Sequence, residues 1–177
     1  MHGLREQIVE MVQNWGLPPW LVVFVISMIP IIELRGAIPV AWFLFGLPWY
    51  AALPIALVGN MLPVPFILLF IRPIFAWMKK KSKWLGNLVE RLEKKAERNM
   101  DKVQRYEFWG LTLFVGIPLP GTGAWTGSLI AALMNMNFKR AMLSAFLGVI
   151  LAGVIVTVLV YVLGWGIDQV AAEVAAG

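Results

Sequence analysis

Apolar residues in this chain come in runs, and the runs are broken in a repeating way. Residues 108–138 contain no charged side chain, a stretch as long as a membrane span. Yet Pro118-Leu119-Pro120-Gly121-Thr122-Gly123 interrupts it near its middle. Proline removes a backbone donor and clashes with the preceding turn, while glycine opens positive φ. The pattern therefore predicts two half-length helices, 108–117 and 124–136, around a bent polar tip. An earlier run has the same form: apolar 20–32, then Glu33-Leu34-Arg35-Gly36-Ala37-Ile38-Pro39, then apolar 40–47. At about 1.5 Å per residue, no such half crosses a ~30 Å hydrocarbon core. Both runs are expected as re-entrant hairpins, 20–47 and 108–136, with Glu33–Gly36 in the first tip.

Two further runs are long enough to span. The first, 51–71, is kinked by Pro54, Pro63 and Pro65, and Asn60 is its strongly polar side chain. The second, 141–165, carries Ser144, Gly148 and Ala152, whose four-residue spacing permits close helix contact. Residues 1–15 form a short amphipathic segment. Residues 79–107 form a charged amphipathic linker helix with favourable Glu90–Lys94 and Asp101–Arg105 pairs. The plain reading of that linker is a cytoplasmic helix lying on the membrane or the bundle. A sharper one is a site for anionic lipid headgroups.

The halves, 1–72 and 108–177 with the linker 79–107 ahead of the second, thus share an order: amphipathic helix, hairpin, then span. An offset of 89 residues carries Trp49 to Phe138, Gly59 to Gly148 and Glu33 to Thr122. A hairpin that returns to its own side plus one span reverses orientation between halves. The predicted fold is a single all-α integral membrane domain, 1–177, built as an inverted repeat with broken helices, a transporter architecture.

Composition agrees. Hydrophobic residues make up 60% of the chain and charged residues 14%, far from a soluble domain. The net charge of +5 is concentrated, with ten of fifteen Lys and Arg residues between Lys79 and Arg105. A basic block beside apolar runs marks the cytoplasmic side rather than a nucleic-acid partner. With Lys139-Arg140 it places the middle of the chain inside and both termini outside, in the cytoplasmic membrane of a prokaryote. The N-terminus lacks a secretory pattern. There is no cysteine, and the one histidine is His2. Disulfides, thiolate metal sites and a Ser/His/Asp set are thereby excluded. No enzyme, metal or cofactor is expected.

Glu33 and Arg35 are the foremost candidates for chemistry. Charges at membrane depth cost several kcal/mol, and they face cavities or partners. They can equally well pair with backbone and merely hold the tip. Glu33 is the group that can take and release a proton, or attract a cation. Arg35 can hold a phosphate or carboxylate. Gly36 and Asn60 join the candidate binding residues. In the second tip Pro120, Gly121, Thr122, Gly123, Trp125 and Thr126 offer backbone amides, hydroxyls and a ring. A half-helix begins at Ala124, and helix N-termini favour anions. The same glycines also serve if they only let hairpin tips pack closely.

The segments Glu33-Leu34-Arg35-Gly36-Ala37-Ile38-Pro39 and Pro118 to Gly127 resemble those of the small multidrug export family, over nearly the whole chain. That family in turn is similar to the DedA/VTT superfamily, with two opposed re-entrant hairpins. The resemblance implies a carrier of undecaprenyl phosphate or phospholipids, with proton dependence in some members. Glu33 matches the acidic residue of the DedA first hairpin, and Pro120-Gly121 its second-hairpin Pro-Gly pair. The arginines that flank that pair in DedA proteins are missing here, so anion binding through them does not carry over. The expected function is transport of an amphiphilic substrate, such as a lipid phosphate, coupled to protons. Expected partners are membrane lipids, that substrate and protons, with a homo-oligomer left open. The alternatives are export of cationic drugs through Glu33, and a non-transporting scaffold or assembly factor acting through the linker.

Overall fold

A computed structural model describes residues 16–83, 86–87, 89–91, 93–94, 107–119 and 121–176. Every described element is an α-helix. They are α1 (Pro19–Met28), α2 (Glu33–Phe43), α3 (Trp49–Met61), α4 (Pro63–Lys81), α5 (Glu107–Gly116), α6 (Ala124–Leu133) and α7 (Phe138–Ala176). Residues 1–15 and much of the linker lie outside the described residues. Contacts divide the chain into two compact units, one of residues 1–60 and 152–177, the other of residues 61–151.

In the first unit α1 and α2 pack on one another. With 10 and 11 residues, each is about 15 Å long, half a hydrocarbon core. Pro30 ends α1, because a residue before proline is driven from helical to extended backbone. Ile29 accordingly sits at φ −71, ψ 127. The break is Ile29–Ile32, not the expected Glu33–Pro39, and Glu33 opens α2. Pro39 lies inside α2 without ending it. Proline in a membrane helix forfeits one ladder bond that surroundings can replace. That tolerance is why the tip moved towards the N-terminus.

Both half-helix pairs end alike. Gly46 (φ 61) follows α2, and Leu47 N–H bonds Ala41 C=O at 2.9 Å. Asn135 (φ 57) follows α6, and Met136 N–H bonds Ala131 C=O at 3.0 Å. Each is a left-handed cap that satisfies orphan carbonyls. Arg72 of α4 adds side-chain bonds to Asn135 Oδ1 and, at 3.4 Å, to Leu133 C=O. A cation there also suits the negative end of α6.

The spans run longer than predicted. α4 continues through Arg72 and Pro73 to Lys81, and Ser82 then turns extended. Lys79–Lys81 therefore end the span helix rather than begin the linker helix. The helix of the last span continues through the tail to Ala176.

The two halves share an element order. α1 maps onto α5 at an offset of 88, Pro19 to Glu107 and Met28 to Gly116. α3 and α7 begin 89 apart. α2 and α6 begin 91 apart because the second tip is three residues longer. Glu33 therefore corresponds to Ala124, not Thr122, and Arg35 to Thr126. Packing follows the same rule. A Cβ on Gly59 would strike Ser27 Oγ and lie 2.6 Å from Phe24 C=O. A Cβ on Gly148 would lie 2.7 Å from both Thr112 C=O and Val115 Cβ. In each unit a span glycine is pressed against residues i and i+3 of the first half-helix of its pair, α1 or α5.

Candidate functional site

Among the described residues, Glu33 is the one charged residue in the buried class, at 4% exposure. It lies in the first turn of α2, where a carboxylate suits the positive helix end. Its backbone has φ +50, and the neighbouring Ile31 has φ +80. A β-branched residue at positive φ is a genuine outlier, and such strain gathers at functional sites. Glu33 N–H bonds Ile29 C=O at 3.0 Å, which closes the break. Arg35, two residues on, is half-buried, and the charge acting on it is that of Glu33. The two ions thus share a helical turn rather than a non-helical tip. Gly36 follows, half-buried, and a Cβ there would run into the Ile32 side chain.

Asn60 is 1% exposed, and its Oδ1 has no hydrogen-bond partner. A buried acceptor left unmade costs about 1–3 kcal/mol, so it is a plausible contact for a donor-bearing ligand or water. The sequence reading missed two equivalents. Ser128 (1% exposed) and Thr157 (8% exposed) also have buried hydroxyl oxygens with no partner. Only their polarity within apolar helices could have marked them.

The second tip is held by its own side chain. Thr122 Oγ1 lies 2.9 Å from Ile117 C=O and 2.8 Å from Leu119 C=O. Its proton is therefore spent on the loop. Gly121 (φ 83) and Gly123 (φ 133, ψ −178) hold backbone shapes that side chains rarely allow. Gly123 caps α6, and Trp125 and Thr126 are half-buried on its first turn. Pro120 lies outside the described residues. Beside this tip runs a groove of about 300 Å³, lined by Trp109, Leu113, Phe114, Ile117, Leu119 and Thr122. Its walls are apolar, with Trp109 and Leu119 more than half exposed.

Trp42 packs on Tyr161, with ring centroids 4.6 Å apart. Tyr161 donates its hydroxyl to Leu47 C=O at 2.6 Å. Between α5 and α7, Ser144 Oγ bonds Phe108 C=O at 2.6 Å and meets Thr112 Oγ1 at 2.9 Å. This buried polar contact lies one turn before Gly148, so the small-residue spacing read from sequence does mark a close helix pair. No group of metal-ligating side chains occurs among the described residues.

Two helical stretches, Trp49–Lys81 and Phe138–Gly164, are apolar and long enough to cross a membrane, and only 33% of each window is buried. The core helix of a soluble protein would be mostly covered. Apolar helices facing outwards, with half-length apolar helices between them, define an α-helical membrane protein. Residues 33–155, more than two thirds of the chain, match the family described as "Putative small multi-drug export protein". The chain belongs to that family, whose name describes membrane export. No curated protein and no solved structure matches it.

Proposed function

We propose that the chain moves an amphiphilic, phosphate-bearing lipid such as undecaprenyl phosphate across the membrane, coupled to protons. The observation that carries this reading is the burial of Glu33 in the first turn of a half-helix whose one other charge is Arg35. Glu33 is the proton carrier. Arg35 binds the anionic head. In this reading the α1–α2 and α5–α6 pairs are re-entrant hairpins of an inverted repeat, with both termini outside. The element-by-element offset supports that repeat. The surplus of basic residues in the middle of the sequence supports its orientation.

The test is transport in proteoliposomes under a pH gradient. Glu33→Gln is expected to fold and bind substrate but lose the dependence on the gradient. Full gradient-driven transport by Glu33→Gln would end the proposed role. The family description favours a second substrate class, small cationic drugs held by the Glu33 carboxylate. Competition between a lipophilic cation and a polyprenyl phosphate for the purified protein separates the two.

A further inference from the structure

A second groove lies in the unit formed by residues 61–151. It measures about 260 Å³ and is lined by Arg72, Phe75, Ala76, Lys79, Glu93 and Leu133. Arg72 and Lys79 are seven residues apart, so they share one face of α4 two turns apart. Lys79 Nζ bonds both carboxylate oxygens of Glu93, at 2.9 and 2.7 Å. Among the described residues, Arg72 bonds neutral oxygens, those of Asn135 and Leu133, and no carboxylate. The groove therefore holds two cations and one carboxylate, and that carboxylate comes from the linker.

Its position names the depth. Phe66, Leu69, Phe70 and Ile74 are exposed along the same helix and end at Trp77, 56% exposed. Lys81 Nζ sits 5.0 Å over the Trp77 ring. An exposed apolar stripe ending in tryptophan and three lysines is the signature of a helix leaving the membrane. Arg72 and Lys79 bracket that level.

We propose that this groove docks the anionic headgroup of a membrane lipid, and that Glu93 occupies it as an internal competitor which the headgroup displaces. Charge complementarity selects the occupant: a phosphate offers the oxygens that Glu93 now supplies, at the depth where headgroups lie. The site is independent of what the protein transports. Displacing Glu93 frees the linker from α4, so lipid binding and linker position are coupled.

Native mass spectrometry of the purified full chain, titrated with phosphatidylglycerol or phosphatidylcholine, tests it. Wild type is expected to hold phosphatidylglycerol in preference. Glu93→Gln is expected to bind it roughly two- to fivefold tighter, the range that an exposed ion pair spans. Lys79→Gln is expected to bind about fivefold more weakly, and Arg72→Gln likewise, at about 1 kcal/mol per cation. Arg72→Lys guards against loss of the α6 cap, and is expected to retain binding. Unchanged or weaker binding by Glu93→Gln, or unchanged binding by Lys79→Gln, overturns the proposal. Equal retention of phosphatidylcholine also overturns it. So does displacement of phosphatidylglycerol by low-millimolar inorganic phosphate, which would make the site one for a free anion.

Discussion

Three glycines give a quantitative test of the repeat's packing. Replacing Gly148 by Ala gains about 1 kcal/mol of helix propensity. Against that, the new methyl would sit 2.7 Å from the Thr112 carbonyl and 2.7 Å from Val115 Cβ. Neither atom can rotate away, since one is backbone and the other is the root of its side chain. The two helices must part, which also stretches the Thr112–Ser144 contact. Overpacking costs about 1–3 kcal/mol and the lost polar contact about 1 kcal/mol. The net loss is roughly 1–3 kcal/mol, or about 2–12 °C in Tm for a domain of this size. Gly59→Ala meets Phe24 C=O at 2.6 Å and Ser27 Oγ, so the same range applies. Gly153→Ala is the control. Its nearest atoms are Leu53 Cδ1 at 2.8 Å and Leu57 Cδ2 at 3.1 Å, both ends of flexible side chains. There the propensity gain roughly offsets the adjustment, and Tm is expected to shift by less than about 3 °C. Thermal unfolding in detergent, followed by fluorescence-detected size-exclusion chromatography, ranks the three. If Gly153→Ala were the most damaging, or Gly148→Ala left Tm unchanged, the rigid-backbone argument would fail.

Other substitutions probe single features. Ile31→Gly removes about 1–3 kcal/mol of positive-φ strain from a side chain that is 95% exposed, while loosening the unfolded chain by up to about 1 kcal/mol. Tm is expected to hold or rise by a few degrees, and a fall would show that the Ile31 side chain supports the break. Tyr161→Phe keeps the Trp42 contact but loses the bond to Leu47, about 1 kcal/mol or roughly 2–4 °C in Tm. An unchanged Tm would mean that the bond contributes nothing. Arg35→Lys keeps the charge but not the planar fork, so polyprenyl phosphate binding is expected to weaken roughly tenfold, against little change for Thr126→Val. Equal effects of the two would remove Arg35 from the proposed site.

The broken runs were legible because Pro118, Gly121 and Gly123 cannot continue a helix cheaply, and α5 and α6 end and begin close to the predicted bounds. The first tip was misplaced by a few residues for a related reason. Pro30 and Pro39 flank the Glu33–Gly36 segment, and the sequence does not say which proline breaks the chain and which is absorbed. Polar residues drew the tip to Glu33, but a carboxylate is also favourable in the first turn of a helix, which is where it sits. Gly148 could be assigned to close packing from its spacing alone. Its partners, Thr112 and Val115, depend on the crossing of two helices and leave no local mark. The unpartnered oxygens of Asn60, Ser128 and Thr157 are likewise products of tertiary burial, so only Asn60 stood out in advance.

Aligning the halves by their helices rather than by a single offset changes what the repeat means. Glu33-Leu34-Arg35-Gly36 then aligns with Ala124-Trp125-Thr126-Gly127 as the corresponding opening turn. Burial agrees at two of the four positions: the first residue is buried in both, and Arg35 and Thr126 are half-buried, whereas Leu34 is buried where Trp125 is half-buried and Gly36 is half-buried where Gly127 is buried. The two turns differ in charge. The first carries a carboxylate and a guanidinium, and the second carries neither. With ions in only one of the two turns, the proposed site is asymmetric, whatever the likeness of the helices. It would hold an anionic head chiefly through one arginine and must take any proton at one carboxylate. Substitution in the first opening turn should therefore damage transport far more than the matching change in the second, even where the two turns contribute equally to the fold.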